Sequence, residues 1–408
     1  MDAAAKNQPG KYTRDWGCSS VLLKRRLLLV SVSIWVLAVP QVRGQQPLNA
    51  ADSERIGRFL DSDRSPDLLH CSIQPRKPML DFAFRFDVGY IVTCALSRFG
   101  GRASNVVIFA RVIPDGGKPL LLGQAYHLPE VTTKPSKLKQ DVRMSGGFAV
   151  GEGEYQVEVL VGDGATGRTS RKSWRVRARR SLGAAQISVP PGSVLPMGVR
   201  PWPIKMVTDG KGLRVTVLLD AAPLNPRTPA LRAWDRAFLL ESLSSLLKQI
   251  PCASVRLRAF NLDQQRELFR QDQFDDAGFL KLEDSLQTLE LGTVSYRVLQ
   301  QRQGWLEMLL SYAHEELIAA DPSDVVIFLG PRTHYIEGIA RATLPGRETP
   351  KPHFYYLEYF PYFQHAHLPD VLGSLTKRLD GTVYEIASPG DLARAVQKIL
   401  ARVQTPSR

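Results

Sequence analysis

Two patterns of hydrophobic positions divide the chain. Between Leu68 and about Arg179, apolar and polar residues alternate in short runs separated by turn residues, which is typical of strands with one buried face. After Gly212, continuous apolar runs alternate with segments whose apolar residues recur at helical spacing. The first pattern predicts an all-β domain, and the second predicts strands alternating with helices.

The alternating part predicts a sandwich of short antiparallel strands. Phe82, Phe84 and Phe86 alternate with polar or small residues, and the run 106–112 ends at the turn signal 114–117. In the run 153–161, a Gly-x-Tyr-x-Val pattern is similar to the tyrosine corner of immunoglobulin-like sandwiches. We therefore expect an immunoglobulin-like fold for this part.

The second part predicts a doubly wound α/β domain. Its first strand, Leu213–Asp220, is mostly apolar and ends in a carboxylate, as a central strand covered on both faces does. Ligands of such sheets bind beyond the carboxyl ends of the strands, which is where Asp220 falls. The other predicted strands are 254–260, 267–269, 324–329, 353–359 and 383–386, and the predicted helices are 231–247, 279–289, 305–319, 368–378 and 392–403.

The composition between these parts predicts the domain boundaries. A stretch rich in proline and glycine predicts a stiff connector between the two domains. The predicted organisation is a leader at 1–44, a linker at 45–67, the β-sandwich at 68–183, the connector at 184–211, the α/β domain at 212–403 and a tail at 404–408.

The leader resembles a targeting sequence. Lys24, Arg25 and Arg26 precede an apolar run, 27–39, that is short for a membrane span. Cleavage after Gly44 and retention as an uncleaved anchor both remain open. Either outcome predicts an exported protein, periplasmic or extracellular.

The net charge of +13 is unevenly distributed. Seven basic and two acidic residues fall in the leader. In the remaining chain, basic residues are densest between Arg168 and Arg180, where they would form a surface for an anionic partner. A solvated outer face that protects an edge strand from aggregation explains the same pattern more simply.

Cysteines are few. Without the leader only Cys71, Cys94 and Cys252 remain. A Cys71–Cys94 disulfide in an oxidising compartment and a set of buried free thiols are both compatible with the spacing.

The α/β part resembles a von Willebrand factor A domain over residues 212–403. The resemblance is carried by the order of elements, the strand ending in Asp220, the loop 291–293 and the tail 375–392. With a leader and a sandwich in front, the chain resembles bacterial exported von Willebrand factor A-related proteins. The resemblance implies a metal-ion-dependent adhesion site, which binds Mg²⁺ through an Asp-x-Ser-x-Ser motif, a threonine and a second aspartate.

The sequence departs from that metal site. Asp220 matches the first carboxylate and Thr293 the threonine, but Ala222 and Leu224 replace the two hydroxyl residues. The fourth strand is followed by 329–332 without an acidic residue. Because Mg²⁺ requires nearly octahedral oxygen coordination, we predict no functional metal site and no cofactor. Asp220 is then a remnant that caps a loop or helix.

A histidine pair and an aromatic run offer weaker candidates. His365 and His367, with His353 upstream, would supply imidazoles to a transition metal, although a surface loop is the simpler interpretation. Exposed aromatic residues nearby, among them Tyr359 and Tyr362, would form a contact patch for a partner.

No nucleophile elbow, phosphate loop or dinucleotide motif is present, so the sequence predicts that the chain is not an enzyme. The predicted function is exported protein–protein interaction or adhesion without a metal, with another envelope or extracellular protein as partner and no nucleic acid. The alternative is a metal-dependent binder or hydrolase that uses Asp220 and the His365/His367 loop. The predicted contact residues are Asp220, Thr293, Pro331, Arg332, Tyr359 and Tyr362.

Overall fold

The computed structural model describes most of the chain after the leader. The described residues are 45–61, 68–100, 102–130, 140–180, 187–198, 203–208, 212–225, 228, 230–292, 296–301, 303–335, 352–360 and 370–404. The predicted leader and its cleavage point therefore lie outside the described residues.

The N-terminal part is a sandwich of two antiparallel sheets. The strands are β1 (Gln46–Pro47), β2 (Ser72–Pro75), β3 (Met79–Leu80), β4 (Phe86–Ala95), β5 (Ser104–Pro114), β6 (Leu120–Leu128), β7 (Asp141–Val150), β8 (Gly153–Asp163), β9 (Thr169–Ala178) and β10 (Val194–Pro196). One sheet has the order β1-β6-β5-β8-β9 and the other β10-β7-β4-β2, with β3 paired to β4. Inward-facing residues of both sheets form one core.

Two local features hold the sandwich together. Cys71 and Cys94 form a disulfide with Cα atoms 4.4 Å apart, so of the two open alternatives the structure has the bridge. The hydroxyl of Tyr155 donates to the carbonyl of Gly151, 3.0 Å away and four residues upstream, as the tyrosine-corner pattern predicts.

The predicted N-terminal linker is part of this fold. Helix α1 (Ala50–Asp61) packs Leu60 against Leu121 and Leu160 on the outer face of a sheet. Gln45 is buried, and its amide contacts the Tyr90 hydroxyl and the Gly147 amide. The predicted connector likewise contributes β10, which pairs with β7.

The C-terminal part is built on a six-stranded sheet. Its strands are β11 (Leu213–Asp220), β12 (Cys252–Asn261), β13 (Arg266–Gln271), β14 (Val325–Pro331), β15 (His353–Tyr359) and β16 (Thr382–Ile386). Their order is β13-β12-β11-β14-β15-β16. All neighbouring pairs are parallel except β12–β13, which is antiparallel. The carboxyl ends of β11, β12, β14 and β15 therefore meet at one edge of the sheet.

Helices cover both faces of this sheet, because its central strands are apolar on both sides. The helices are α2 (Ala233–Gln249), α3 (Gly278–Gln287), α4 (Tyr296–Gln300), α5 (Gly304–Ile318), α6 (Val371–Arg378) and α7 (Pro389–Gln404). Residues of α2, α3 and α7 pack on one face and residues of α5 and α6 on the other. Among the described residues, no helix combines the length and the apolar character needed to span a membrane.

The turn 81–85 joins the sandwich to helix α2. The sequence pattern predicts a strand here, but Phe84 has a φ of 54° and lies in the core of the C-terminal part. Phe82 contacts Phe238 edge to face at 4.6 Å. The Arg85 guanidinium, only 1% exposed, lies 2.6 Å from Asp81 and 2.5 Å from Glu241. The alternating phenylalanines at 82 and 84 therefore pack against the core of the C-terminal part and do not form a strand.

The predicted fold class is corrected by this arrangement. Strands of three sheets dominate the described residues, and they extend into the predicted linker and connector. The C-terminal sheet is mixed, because the connection 262–265 between β12 and β13 is too short for a parallel crossover. An immunoglobulin-like sandwich followed by a doubly wound von Willebrand factor A-like domain is therefore the wrong description of the chain.

Candidate functional site

Asp220 lies at the centre of the edge where the parallel strands end. Its side chain is 1% exposed, and neither carboxylate oxygen has a hydrogen-bond partner among the described residues. Gly330 on the neighbouring strand makes room for it, since a Cβ at that position would lie 2.7 Å from the Cβ of Asp220. Burial, and then the charges of Asp263 and Asp370, raise the pKa of Asp220 well above its ordinary value. The carboxyl group therefore favours its neutral form.

The neighbouring strand β12 supplies a second carboxylate. Asn261, its last residue, donates to the carbonyl of Ala221 at 2.9 Å and so ties the ends of β11 and β12 together. Asp263 follows in the turn, with its side chain 46% exposed. Its Oδ1 accepts from the Tyr335 hydroxyl at 3.0 Å and lies 3.6 Å from Nε2 of His334.

Three stacked aromatic rings lie beside Asp263. Tyr335 stacks on Trp305 with ring centroids 4.5 Å apart, and His334 stacks on Tyr335 at 4.2 Å. Trp305 is buried, whereas the His334 side chain is 56% exposed. The stack holds the segment after β14 in place, and His334 is its solvent-facing member.

Asp370 closes the back of the site as the N-cap of α6. Its carboxylate accepts from the amides of Gly373 at 2.7 Å and Thr333 at 2.9 Å and from the Tyr356 hydroxyl at 3.1 Å. These three donors satisfy Asp370, unlike Asp220.

Arg332 contributes a positive charge that is already balanced. Its Nε lies 3.2 Å from Oε1 of Glu358, and its guanidinium lies over the ring of Phe360 at 5.3 Å. Burial, followed by the charge of Asp370, raises the pKa of Glu358 to about 7 despite the lowering effect of Arg332. The positive charge of Arg332 near Asp220 is thus paired with Glu358.

These residues enclose a small cavity, and the buried residue Asp220 is part of its lining. Its volume is about 20 Å³, which is enough for one group the size of a water molecule. Carboxylates and amides line it together with apolar groups. The lining residues are Asp220, Ala222, Pro223, Asn261, Leu262, Asp263, Arg332, Thr333, His334 and Tyr335.

A multidentate metal site is not formed by the residues that the structure describes. Within that part of the chain, no three His, Cys, Asp or Glu side chains are grouped as a metal would require. Asp370 is committed to its three donors, and the Asn261 amide is committed to the backbone on both sides. Thr293, Tyr362, His365 and His367 lie outside the described residues, so the predicted threonine and histidine ligands are not placed.

The predicted contact residues separate into two groups. Asp220 and Arg332 both line the cavity. Pro331 and Tyr359 are buried, and Tyr359 packs edge to face on Phe238 at 4.4 Å, so both serve the core and not a contact surface. Among the described residues Asp220 accepts no hydrogen bond that would cap a loop or helix, and Asp235 accepts the amides of Leu224 and Arg232.

Sequence reasoning missed the other half of the site. Asp263, His334, Tyr335 and Asp370 come from three separate segments, and only the topology brings them together. One signal was available: the strand ending at Asn261 is followed by Asp263, and parallel neighbours end at the same edge of a sheet.

Comparisons with known proteins yield no family assignment. No family model matches the chain, and no curated protein matches it. Several solved structures are similar at low identity. A family 123 glycoside hydrolase from Clostridium perfringens is 6% identical, with 77% of this chain and 72% of that chain covered and a TM-score of 0.26.

Two further solved structures are of the same broad class. The β-glucuronidase of Bacteroides uniformis is 11% identical, with 76% of this chain and 38% of that one covered and a TM-score of 0.19. A β-galactosidase-like protein of Bacteroides fragilis is 10% identical, with 78% of this chain and 44% of that one covered and a TM-score of 0.19. This chain thus spans less than half the length of both.

These comparisons correct one prediction and leave another open. The similar solved structures are glycoside hydrolases, so the prediction that the chain is not an enzyme is corrected. Their TM-scores are too low for any of their activities to be carried over. The fold implied by the resemblance to von Willebrand factor A-related proteins is corrected above, and no matching family model tests membership of that family.

Proposed function

We propose that the chain is an exported protein that binds another protein at the edge formed by Asp220, Asp263 and the segment 332–335. The observation that carries the proposal is the Asp220 carboxylate, which lines a small cavity and is buried without a hydrogen-bond partner among the described residues. A buried polar group without a hydrogen bond destabilises a fold by about 1–3 kcal/mol, so its presence calls for a functional reason. A partner group that enters the cavity would satisfy it.

Export belongs to the same proposal. The Cys71–Cys94 disulfide supports it, since such bonds form and persist in oxidising compartments. Fractionation of cells that produce the full chain, with thiol labelling before and after reduction, tests this part. Labelling of Cys71 and Cys94 without reduction in intact cells would contradict it.

The binding proposal is tested by affinity capture from an envelope extract with quantitative mass spectrometry. The Asp263→Asn, His334→Ala double variant alters the exposed rim, and we expect it to reduce recovery of the partner at least tenfold. The matched control is Asp321→Asn, because Asp321 is exposed and pairs with Arg214 at the opposite end of β11. Equal recovery by the wild type and the double variant would refute the proposal.

Acid–base hydrolysis is a second candidate. The pKa of Asp220 is raised by burial, whereas Asp263 is partly exposed, and two carboxyl groups in unlike environments are a common basis for acid and base roles. Assays with nitrophenyl glycosides and esters test it; turnover equal to that of Asp220→Asn would rule it out.

A further inference from the structure

The lining of the cavity at Asp220 combines a buried carboxyl group with apolar surface. Asp220 and Asp263 are acidic, and the Arg332 charge among the lining residues is paired with Glu358. Pro223, Leu262 and the Tyr335 ring provide apolar surface in the same lining. A group that fits must therefore carry positive charge at its tip and an apolar stem behind it.

Size restricts the tip further. A volume of about 20 Å³ suits a compact group, such as one nitrogen with its hydrogens, better than the planar, five-donor guanidinium of arginine. A divalent cation is disfavoured because the described residues offer no group of three ligands. A primary ammonium supplies three donors, which suits two carboxylate oxygens that have no partner in the described part of the chain.

We propose that the cavity at Asp220 binds the ammonium group of a lysine side chain of the partner protein, with its methylene stem against Pro223 and Tyr335. This inference rests on the proposed binding function and names the partner group that the site accepts. A lysine side chain has an apolar stem and a charged tip, which match the apolar residues and the carboxyl group of the lining.

The binding is coupled to a proton. Burial favours the neutral form of Asp220 in the free protein, whereas an ammonium group favours the carboxylate. Binding therefore releases a proton from Asp220, and affinity rises with pH until Asp220 ionises without the ligand. The other charged or titratable groups around the cavity are Asp263, Asp370, Arg332, His334, Tyr335 and Tyr356.

The test uses the full chain and n-butylammonium as a lysine side-chain analogue, measured by thermal shift and titration calorimetry. We expect a saturable rise in Tm for the wild type and for Asp321→Asn, and at least tenfold weaker binding by the isosteric Asp220→Asn. Neutral n-butanol and bulky tetramethylammonium should give no shift. Calorimetry in buffers of different ionisation enthalpy should show proton release for the wild type alone.

Three outcomes would overturn the inference. The first is no binding of n-butylammonium, and the second is equal binding by the wild type and Asp220→Asn. The third is a rise in Tm with MgCl₂ that Asp220→Asn abolishes, while n-butylammonium leaves the Tm unchanged. A capture experiment separates this failure from that of the binding function. If partner recovery depends on Asp263 and His334 but survives acetylation of lysines in the extract, only the ammonium assignment is lost.

Discussion

Arg85 offers the sharpest test of how the two parts of the chain are joined. Its buried guanidinium faces Asp81 on its own turn and Glu241 on helix α2, and it donates to the carbonyl of Gly198 at 3.1 Å. The side chains of Asp81 and Glu241 are 15% and 14% exposed. Replacing Arg85 with methionine keeps the apolar volume but leaves two carboxyl groups without their counter-charge.

The expected loss is about 3 kcal/mol in the free energy of unfolding at pH 8, since removal of one partner from a buried ion pair typically destabilises by roughly 3–5 kcal/mol. Protonation limits the loss at lower pH. Burial, followed by the charge of Asp81, raises the pKa of Glu241, and burial likewise raises the pKa of Asp81. At pH 5 we expect a loss of roughly 1–2 kcal/mol, because neutral carboxyl groups need no counter-charge.

The sign of the pH dependence follows from those shifts. An acid whose pKa is raised in the folded state binds a proton there that it loses on unfolding. Stability from Glu241 is therefore present below its unfolded pKa and is lost as pH rises toward the folded pKa. Without Arg85 the folded pKa rises further, so the gap between wild type and variant must widen from pH 5 to pH 8.

Urea denaturation monitored by tryptophan fluorescence measures both quantities. A double variant, Arg85→Met with Glu241→Leu, should recover part of the loss, because an apolar pair can replace a buried ion pair. A loss below about 1 kcal/mol at pH 8, or a loss that does not change with pH, would refute this account of the junction.

Three further variants test the sandwich and the site by urea denaturation. Removal of the Cys71–Cys94 bridge with two alanines should reduce stability by roughly 3 kcal/mol, because it closes a loop with a sequence separation of 23; an unchanged midpoint would contradict this. Gly330→Ala should reduce stability by about 1–3 kcal/mol, since its Cβ would lie 2.7 Å from that of Asp220. Asp370→Ala removes three hydrogen bonds and should cost about 2–3 kcal/mol; a loss below 1 kcal/mol would show that water replaces them.

Local pattern was sufficient for most individual elements. The predicted strand 213–220 is β11 with the same bounds, and the predicted helix 305–319 differs from α5 by one residue at each end. Such elements can be predicted because burial of one or both faces gives the apolar residues the period of the helix or strand. The strand predicted from the alternation at Phe82 and Phe84 was wrong, because the period of apolar residues does not say which core a side chain enters.

The site was only partly legible. Asp220 stood out because it falls at the carboxyl end of a buried strand, but in the described residues it accepts no capping hydrogen bond, and Asp235 accepts the amides of Leu224 and Arg232. Asp263 and Tyr335 are 72 residues apart and form a hydrogen bond that no local pattern encodes. Their proximity depends on strand order, which sequence periodicity does not specify.

The sequence by itself determined most strands and helices of the C-terminal part, that Asp220 ends a buried strand, and that the usual hydroxyl ligands beside it are missing. Only the tertiary structure decided that Asp220 has no hydrogen-bond partner within the described ranges, that Asp263 lines the same cavity, and that Arg85 joins the two parts. The physical reason is that hydrophobic period is a property of neighbouring residues. Burial without a partner, cavity size and ion pairing depend on residues that only packing brings together.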